Sequence, residues 1–277
     1  MNEQLQLDFD KIIKTSKFSN EEIQSKKFFL KKFIENGFPS RKQEDWKFLD
    51  ISQIIKKNIS DLSFFNDYSL PNKIDPSIFV DGLEHNKIIF INGRIEKIDF
   101  SYEDQNKIEI KDEIEKNISF DYENSLIDLN SAFINKVFKI IVNKNYSLKK
   151  PLIIYHSTND KVKSTNVNLR LDFELGENSC LRLIDFFTDN TNKNFINIFY
   201  NFNLLKDSIL KNYKIDKFKN DNLKYSFNNI EQGNNSVSET FILSAGSDYF
   251  KNEINCNLNG EYSSAFINGV FSLKENQ

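Results

Sequence analysis

Two cysteines and two histidines carry the most reactive side chains of this chain, and their spacing forms no recognisable motif. Cys180 and Cys256 lie too far apart for the closely spaced thiolates of a metal-cluster loop. His85 and His156 have no second histidine, cysteine or carboxylate at the spacing of metal ligands. A Ser/His/Asp arrangement around His156 and Ser157 lacks the turn that exposes a nucleophile. We therefore predict no catalytic, cofactor-binding or metal-binding residues.

A pair of carboxylates offers a second kind of chemistry. Asp172 and Glu174 lie two positions apart in an alternating segment, so both side chains leave one strand on the same face. Such pairs cleave glycosidic bonds when one acts as an acid and the other as a base or nucleophile. A solvated strand face is the simpler interpretation, and we favour it.

The two cysteines differ in their expected surroundings. Cys256 shares an alternating stripe with Phe250, Ile254 and Leu258, so it is expected to face the core. An apolar environment disfavours the thiolate and makes a buried thiol a poor nucleophile or metal ligand. Cys180 follows a turn and is expected to be more accessible. We predict structural roles for both.

Composition excludes several classes of protein. The 277 residues carry a formal charge of −3, with no basic excess for nucleic-acid binding. The eight glycines form neither a P-loop nor a GxGxxG turn, so no nucleotide-phosphate site is predicted. Two cysteines exclude a disulfide framework, and we find neither an apolar signal core nor a membrane span. We expect a soluble cytoplasmic protein.

The second half of the chain repeats a strand–turn–strand unit. Residues 167–175 alternate strictly between apolar and polar side chains, which predicts a strand with one face inward and the other in water. Gly176 then begins a turn. Turn-forming residues recur roughly every 27 to 31 positions, which is typical of a solenoid of stacked coils. They lie at 143–145, 206–207, 233–235 and 260–261.

The first part of the chain is predicted to be helical. Ser19 and Glu22 fit a capping box, and Gly37 ends the helix. Four lysines on this helix are interpreted as a solvated face: Lys26, Lys27, Lys31 and Lys32. Residues 87–91 are predicted to form a short buried strand, and the Asn-Gly pair after them predicts a tight turn. We predict a helical region over 1–62, a mixed α/β connecting region over 63–130, and a β-helix core over 131–277.

Five segments resemble those of a known family. Residues 37–48, GFPSRKQEDWKF, resemble the N-terminal signature of SufD proteins, in the SufB/SufD family of SUF-system iron–sulfur cluster assembly proteins. Four further segments follow in the order expected for that family. They are residues 90–94 (FINGR), 129–133 (LNSAF), 149–153 (KKPLI) and 258–264 (LNGEYSS).

The resemblance implies a mainly β protein, a right-handed parallel β-helix preceded by a small α-helical region. It also implies a non-enzymatic subunit that pairs with SufB and with the SufC ATPase. In such a complex SufC hydrolyses ATP, and SufB supplies most of the cysteines that hold the iron–sulfur cluster. Family members continue beyond residue 277, so the β-helix is expected to be incomplete at its C-terminus, without the SufC-docking region.

Three alternatives remain open at this stage. A SufB-like cluster scaffold would share the fold but hold the cluster itself. A carbohydrate-active β-helix would use Asp172 and Glu174 for glycan cleavage. A purely structural solenoid that binds other proteins would differ from a SufD-like subunit only in its partners.

Overall fold

The structure is a computed structural model. It describes residues 2–59, 61–67, 73–113, 124–188, 193–216, 220–245 and 247–272. No helix in these ranges is long and apolar enough to cross a membrane.

Within the described ranges, four α-helices precede the stacked coils. Helix α2 begins with the predicted capping box, in which Ser19 accepts from the amide of Glu22 and Glu22 accepts from the amide of Ser19. It ends at Gly37, whose φ of 67° is readily available to glycine. The helices are α1 (Asn2–Thr15), α2 (Asn20–Asn36), α3 (Ile51–Asn58) and α4 (Ser125–Phe133); 3-10 turns occupy Glu44–Trp46 and Pro76–Ile78.

Thirteen strands in the described ranges account for the mainly β character of the structure, and they hold 44% of the described residues. They are β1 (Asn86–Ile91), β2 (Arg94–Asp99), β3 (Ile108–Glu113), β4 (Val137–Val142), β5 (Leu152–Ser157), β6 (Asn166–Leu175), β7 (Cys180–Phe187), β8 (Phe195–Leu204), β9 (Ile209–Asp216), β10 (Asn220–Gln232), β11 (Val237–Ala245), β12 (Ser247–Leu258) and β13 (Ser264–Ser272).

The strands form a β-solenoid of about four turns, which confirms the predicted fold class. A six-stranded sheet has the order β12-β10-β8-β6-β4-β3, and a seven-stranded sheet has the order β13-β11-β9-β7-β5-β1-β2. Successive coils pair in parallel, whereas β2 and β3 add antiparallel strands at one end. The Asn92-Gly93 turn joins β1 to β2 with positive φ at both residues, as predicted. The three region boundaries proposed from the sequence remain predictions.

The turns of successive coils stack directly on one another. Asn178 N–H donates to Lys206 O, and Asp207 N–H donates to Asn234 O, at 2.9 Å each. In each of these stacked tight turns between two strands, one residue has a φ between 55° and 59°. These residues are Asn145, Asn178, Asp207, Asn235 and Tyr262. At Gly176 an added Cβ would lie 2.5 Å from the backbone nitrogen of Lys144. Close stacking therefore excludes a side chain there.

Helix α4 covers part of the outer face of the six-stranded sheet, contrary to the prediction that this face meets water. Asn168, Arg170 and Asp172 on β6 are all buried. Asn130 on α4 donates to Leu169 O at 3.1 Å, and Asn197 donates to Leu126 O at 2.8 Å. On this sheet face Asn197 therefore bonds the overlying helix, whereas Arg170 pairs with Asp172 on its own strand.

One of the four lysines expected on a solvated helix face is also buried. Lys26 is 3% exposed, and its Nζ donates to Ile134 O at 2.6 Å and to Ser131 O at 3.4 Å. These carbonyls lie at the end of α4, where an ammonium group favourably meets the negative end of the helix dipole. The Phe18 ring covers the same ammonium at 4.7 Å. Lys26 therefore connects α2 to α4.

Candidate functional site in the solenoid interior

The residues singled out from the sequence do not come together in the structure. Cys256 packs against the core between the sheets, whereas Cys180 lies on the outer face of the other sheet. Both thiols are half-buried, and burial raises the pKa of each. The inward position predicted for Cys256 is confirmed. Within the ranges that the structure describes, no group of three His, Cys, Asp or Glu side chains could hold a metal ion.

The two carboxylates considered for glycan chemistry are each paired with a cation. Arg170 forms a bidentate pair with Asp172, with Nε–Oδ1 and Nη2–Oδ2 distances of 3.0 and 3.1 Å. Lys139 Nζ lies 2.9 Å from Glu174 Oε2. The prediction of a solvated face is wrong for Asp172, which is buried, and holds in part for Glu174, which is half-buried.

A group of charged and polar side chains occupies the interior between the two sheets instead. We call it the interior polar cluster. It consists of His156, Asp185, Tyr200, Lys214, Asp216 and Lys224. Each is at most 8% exposed, and they come from β5, β7, β8, β9 and β10. Two acids and two lysines balance in charge, as buried ions must.

Asp185 is the centre of the cluster. Its carboxylate accepts from His156 Nε2 at 2.5 Å, from Lys214 Nζ at 2.8 Å and from the Tyr200 hydroxyl. Burial alone would raise the pKa of Asp185, but the charges and hydrogen bonds of Lys214 and His156 outweigh burial and hold it well below its usual range. Asp185 therefore stays ionised.

Tyr200 and Lys214 are fixed by the same carboxylate. Burial, followed by the negative charge of Asp185, raises the pKa of Tyr200 well above its ordinary value, so the phenol remains a hydrogen-bond donor. The Lys214 ammonium lies 3.7 Å from the centre of the Tyr200 ring. The His156 ring stacks against Phe187 at 4.6 Å and Phe90 at 5.8 Å. The cluster is therefore rigidly positioned.

A second ion pair, between Lys224 and Asp216, lies in the interior between the two sheets. Lys224 bonds Asp216, and its ammonium lies 4.9 Å from the Phe187 ring and 5.4 Å from the Phe250 ring. Several buried amide and carboxylate atoms on β9, β10 and β12 have no partner among the described residues. They are both side-chain atoms of Asn212, Asp216 Oδ2, Asn228 Oδ1 and Asn252 Nδ2. Buried polar atoms of this kind are normally satisfied by internal water.

A small cavity of about 30 Å³ lies beside the cluster. His156, Thr188 and Asn222 contribute its polar lining, and Phe90 and Phe187 contribute part of its apolar lining. That volume holds about one water molecule. The arrangement can thus keep a hydrated, charge-balanced network inside the solenoid, with His156 at its edge.

The sequence did not predict this cluster, because polar side chains at alternate strand positions were expected to face outward. On β9 the pattern is inverted: Asn212, Lys214 and Asp216 are buried, while Tyr213 on the other face is exposed. The signal that could have revealed the cluster is the alignment of β9 with β7 in the preceding coil. In that alignment Lys214 lies beside Asp185, and Asp216 lies beside Phe187.

The family model described as SUF system FeS cluster assembly, SufBD core domain, matches residues 156–277. This match supports the SufB/SufD family. The matched SufBD core begins at His156 and contains all six members of the interior polar cluster. A search of curated proteins finds no match. Four of the five resembling segments precede the matched SufBD core, so their resemblance to the family stays a prediction.

Proposed function

We propose that this chain is a SufD-like scaffold subunit of the SUF complex for iron–sulfur cluster assembly, acting through partner contacts with SufB and the SufC ATPase. The observation that carries the proposal is the SufBD core match over the coils of the solenoid. The family supports a role in the SUF system generally. The choice of SufD and of these two partners rests on the motif order in the sequence.

We further propose that the subunit is not an enzyme and does not itself hold the cluster. The ion pairs of Asp172 with Arg170 and of Glu174 with Lys139 leave neither acid as a ready proton donor or base. Cys180 and Cys256 lie on different sheets and opposite strand faces, so they cannot share one cluster within one chain without rearrangement. These observations favour a supporting role over chemistry.

A SufB-like role is the second candidate, because the matched family includes both subunit types. It predicts that the isolated chain assembles a cluster when given ferrous iron and sulfide under anaerobic conditions. The visible absorption of that cluster should disappear in Cys180→Ala or Cys256→Ala. Under the SufD-like proposal, the isolated chain and both variants show no such absorption.

Co-purification tests the proposed partners directly. The tagged chain is co-expressed with SufB and SufC from the same source, and we expect SufB to be retained in a complex. We expect SufC to be retained in the same complex. Retention of neither protein would refute the proposal. A chain carrying Phe48→Asp, at a side chain that is 86% exposed, serves as a folded control.

A further inference from the structure

A short segment crosses the outer face of the seven-stranded sheet. We call residues 74–85 the strap. Its apolar side chains pack on Ile89, Ile91, Ile153, Tyr155 and Phe186; the packing residues are Ile74, Ile78, Phe79 and Val80. Phe79 meets the ring of Tyr155 edge-on, with 5.3 Å between ring centres. The strap therefore covers an apolar part of the sheet.

A chain of three hydrogen bonds fixes the end of the strap to the sheet. Val80 N–H donates to the Tyr155 hydroxyl oxygen at 3.1 Å, and that hydroxyl lies 2.8 Å from His85 Nε2. His85 Nδ1 lies 2.6 Å from Leu83 O. A carbonyl oxygen can only accept, so Nδ1 carries the hydrogen and Nε2 accepts from Tyr155. The chain is complete only when His85 is neutral.

A second proton on His85 disrupts this chain of hydrogen bonds. Nε2–H would then face the Tyr155 oxygen, and the tyrosine hydrogen would lose its acceptor in an apolar site. The charge would also lie on a side chain that is 4% exposed. Protonation therefore opposes the packing of the strap.

The charged groups around His85 come from every element packed against it. Lys87 on β1 disfavours protonation, and Asp99 on β2 favours it. Asp81 in the strap acts on Tyr155, whereas Glu84 is paired with Lys150 at the surface. Burial is the largest influence, and it lowers the pKa of His85 below its ordinary value. His85 is therefore neutral near pH 7 and becomes charged only in acid.

The face beneath the strap continues as an open apolar surface. Phe186 aligns with Ile215, which aligns with Leu243 and then Val270 across the following coils. Leu243 and Val270 are exposed, as is Phe241 on the same face. Opening the strap would join the covered and open parts into one larger apolar surface.

We propose that the strap is an acid-sensitive cover, held by the Val80–Tyr155–His85–Leu83 hydrogen-bond chain and released when His85 is protonated. Release uncovers the sheet face over β1 and β5 without unfolding the solenoid. The inference does not depend on the proposed function in the SUF system.

Hydrogen exchange on the full chain tests the proposal. Protection factors for Val80 and, as a core reference, Leu183 on β7 are measured between about pH 7.5 and pH 5. We expect the protection of Val80 to fall at least about tenfold while that of Leu183 is unchanged. In His85→Gln, which keeps one donor and one acceptor but cannot be protonated, the fall should be absent. An unchanged Val80 amide in the wild type, or an equal fall at Leu183, would overturn the proposal.

A second measurement covers the case in which His85→Gln does not fold. The chain contains two histidines, so the ring signals of His85 and His156 can be followed by NMR in the wild type. The titration of His85 should have its midpoint below 6.5 and should coincide with the loss of Val80 protection. A midpoint at or above 6.5, or a loss of protection at a different pH, would contradict the proposal.

Discussion

Asp185 shows how a single residue can support a charged interior. Its carboxylate receives hydrogen bonds from His156, Lys214 and Tyr200, and all three donors are buried. A buried ion pair adds little net stability over an apolar replacement, because desolvation offsets the attraction. Removing one partner is different, since the remaining charge stays buried and unpaired. Replacing the charged pairs together by apolar residues should therefore change stability little, whereas removing one charged partner alone should be strongly destabilising.

We expect Asp185→Asn to lower the free energy of unfolding by about 3–5 kcal/mol, because Lys214 loses its counter-charge in a buried site. Urea denaturation followed by circular dichroism measures this change. Glu239→Gln is the matched control, since it breaks the exposed pair with Lys211 and should cost at most about 1 kcal/mol. Similar effects of the two substitutions would show that the interior site is not desolvated.

The stacked turn is the element that determines the coil. Each turn needs one residue in the left-handed region, and asparagine or aspartate supplies it in four of the five turns, at Asn145, Asn178, Asp207 and Asn235. These side chains tolerate that conformation better than other non-glycine residues. Tyr262 in the last turn is the exception, with a φ of 59°. Turn chemistry and the alternating strands are local features, so the sequence predicted them correctly.

We expect Asn178→Val to lower the free energy of unfolding by about 1–2 kcal/mol, because a β-branched side chain is strained at a φ of 55°. Thermal or urea denaturation measures the effect. Asn178→Gly is the control: it also removes the hydrogen bond to Asn145 but allows the backbone conformation. If the two variants are equally destabilised, the cost comes from the lost hydrogen bond and not from backbone strain.

At the scale of the whole molecule, the N-terminal region and the solenoid are bound to each other. Trp46, the only tryptophan, is buried against Tyr225 on β10 and lies under the Lys251 ammonium of β12. Lys251 also donates to Asp45 O at 2.9 Å. Aromatic side chains of α1, α4, β8 and β10 share one apolar cluster. The helical region thus packs along the sheet as far as the later coils.

We expect one cooperative unfolding transition for both parts. Tryptophan fluorescence reports the docking of Trp46, and far-ultraviolet circular dichroism reports the strands. The two signals should have the same denaturant midpoint, as two-state unfolding requires. Separate midpoints would show that the helical region undocks before the solenoid unfolds.

The stability of the molecule should also fall with pH below about 6.5. The pKa of His85 is lowered in the folded state mainly by burial, so the unfolded chain takes up a proton first as the pH falls. The free energy of unfolding should then decrease until the folded state is protonated too. Urea denaturation at a series of pH values measures this slope, and His85→Gln should reduce it. A slope that is identical in the variant would assign the pH dependence to other groups.

Different physical causes separate what the sequence predicted from what it missed. The alternation of residues 167–175 and the recurrent turns predicted the solenoid, because backbone conformation and strand faces are local properties. Local patterns failed for Asp172, which is buried beside Arg170, and for Lys26, whose ammonium bonds the end of α4. Nothing near Lys26 in the sequence shows that α4 lies beside it.

The sequence by itself determined the coil, its turns and the apolar character of most inward positions, because each depends on neighbours along the chain. The tertiary structure alone decided that Lys214 and Lys224 point inward and that Asp185, Asp216 and His156 meet them there. A buried charge needs a counter-charge, and Lys214 finds its counter-charge in Asp185 on the neighbouring strand of the same sheet. That pairing is fixed by the register between strands, which no single segment encodes.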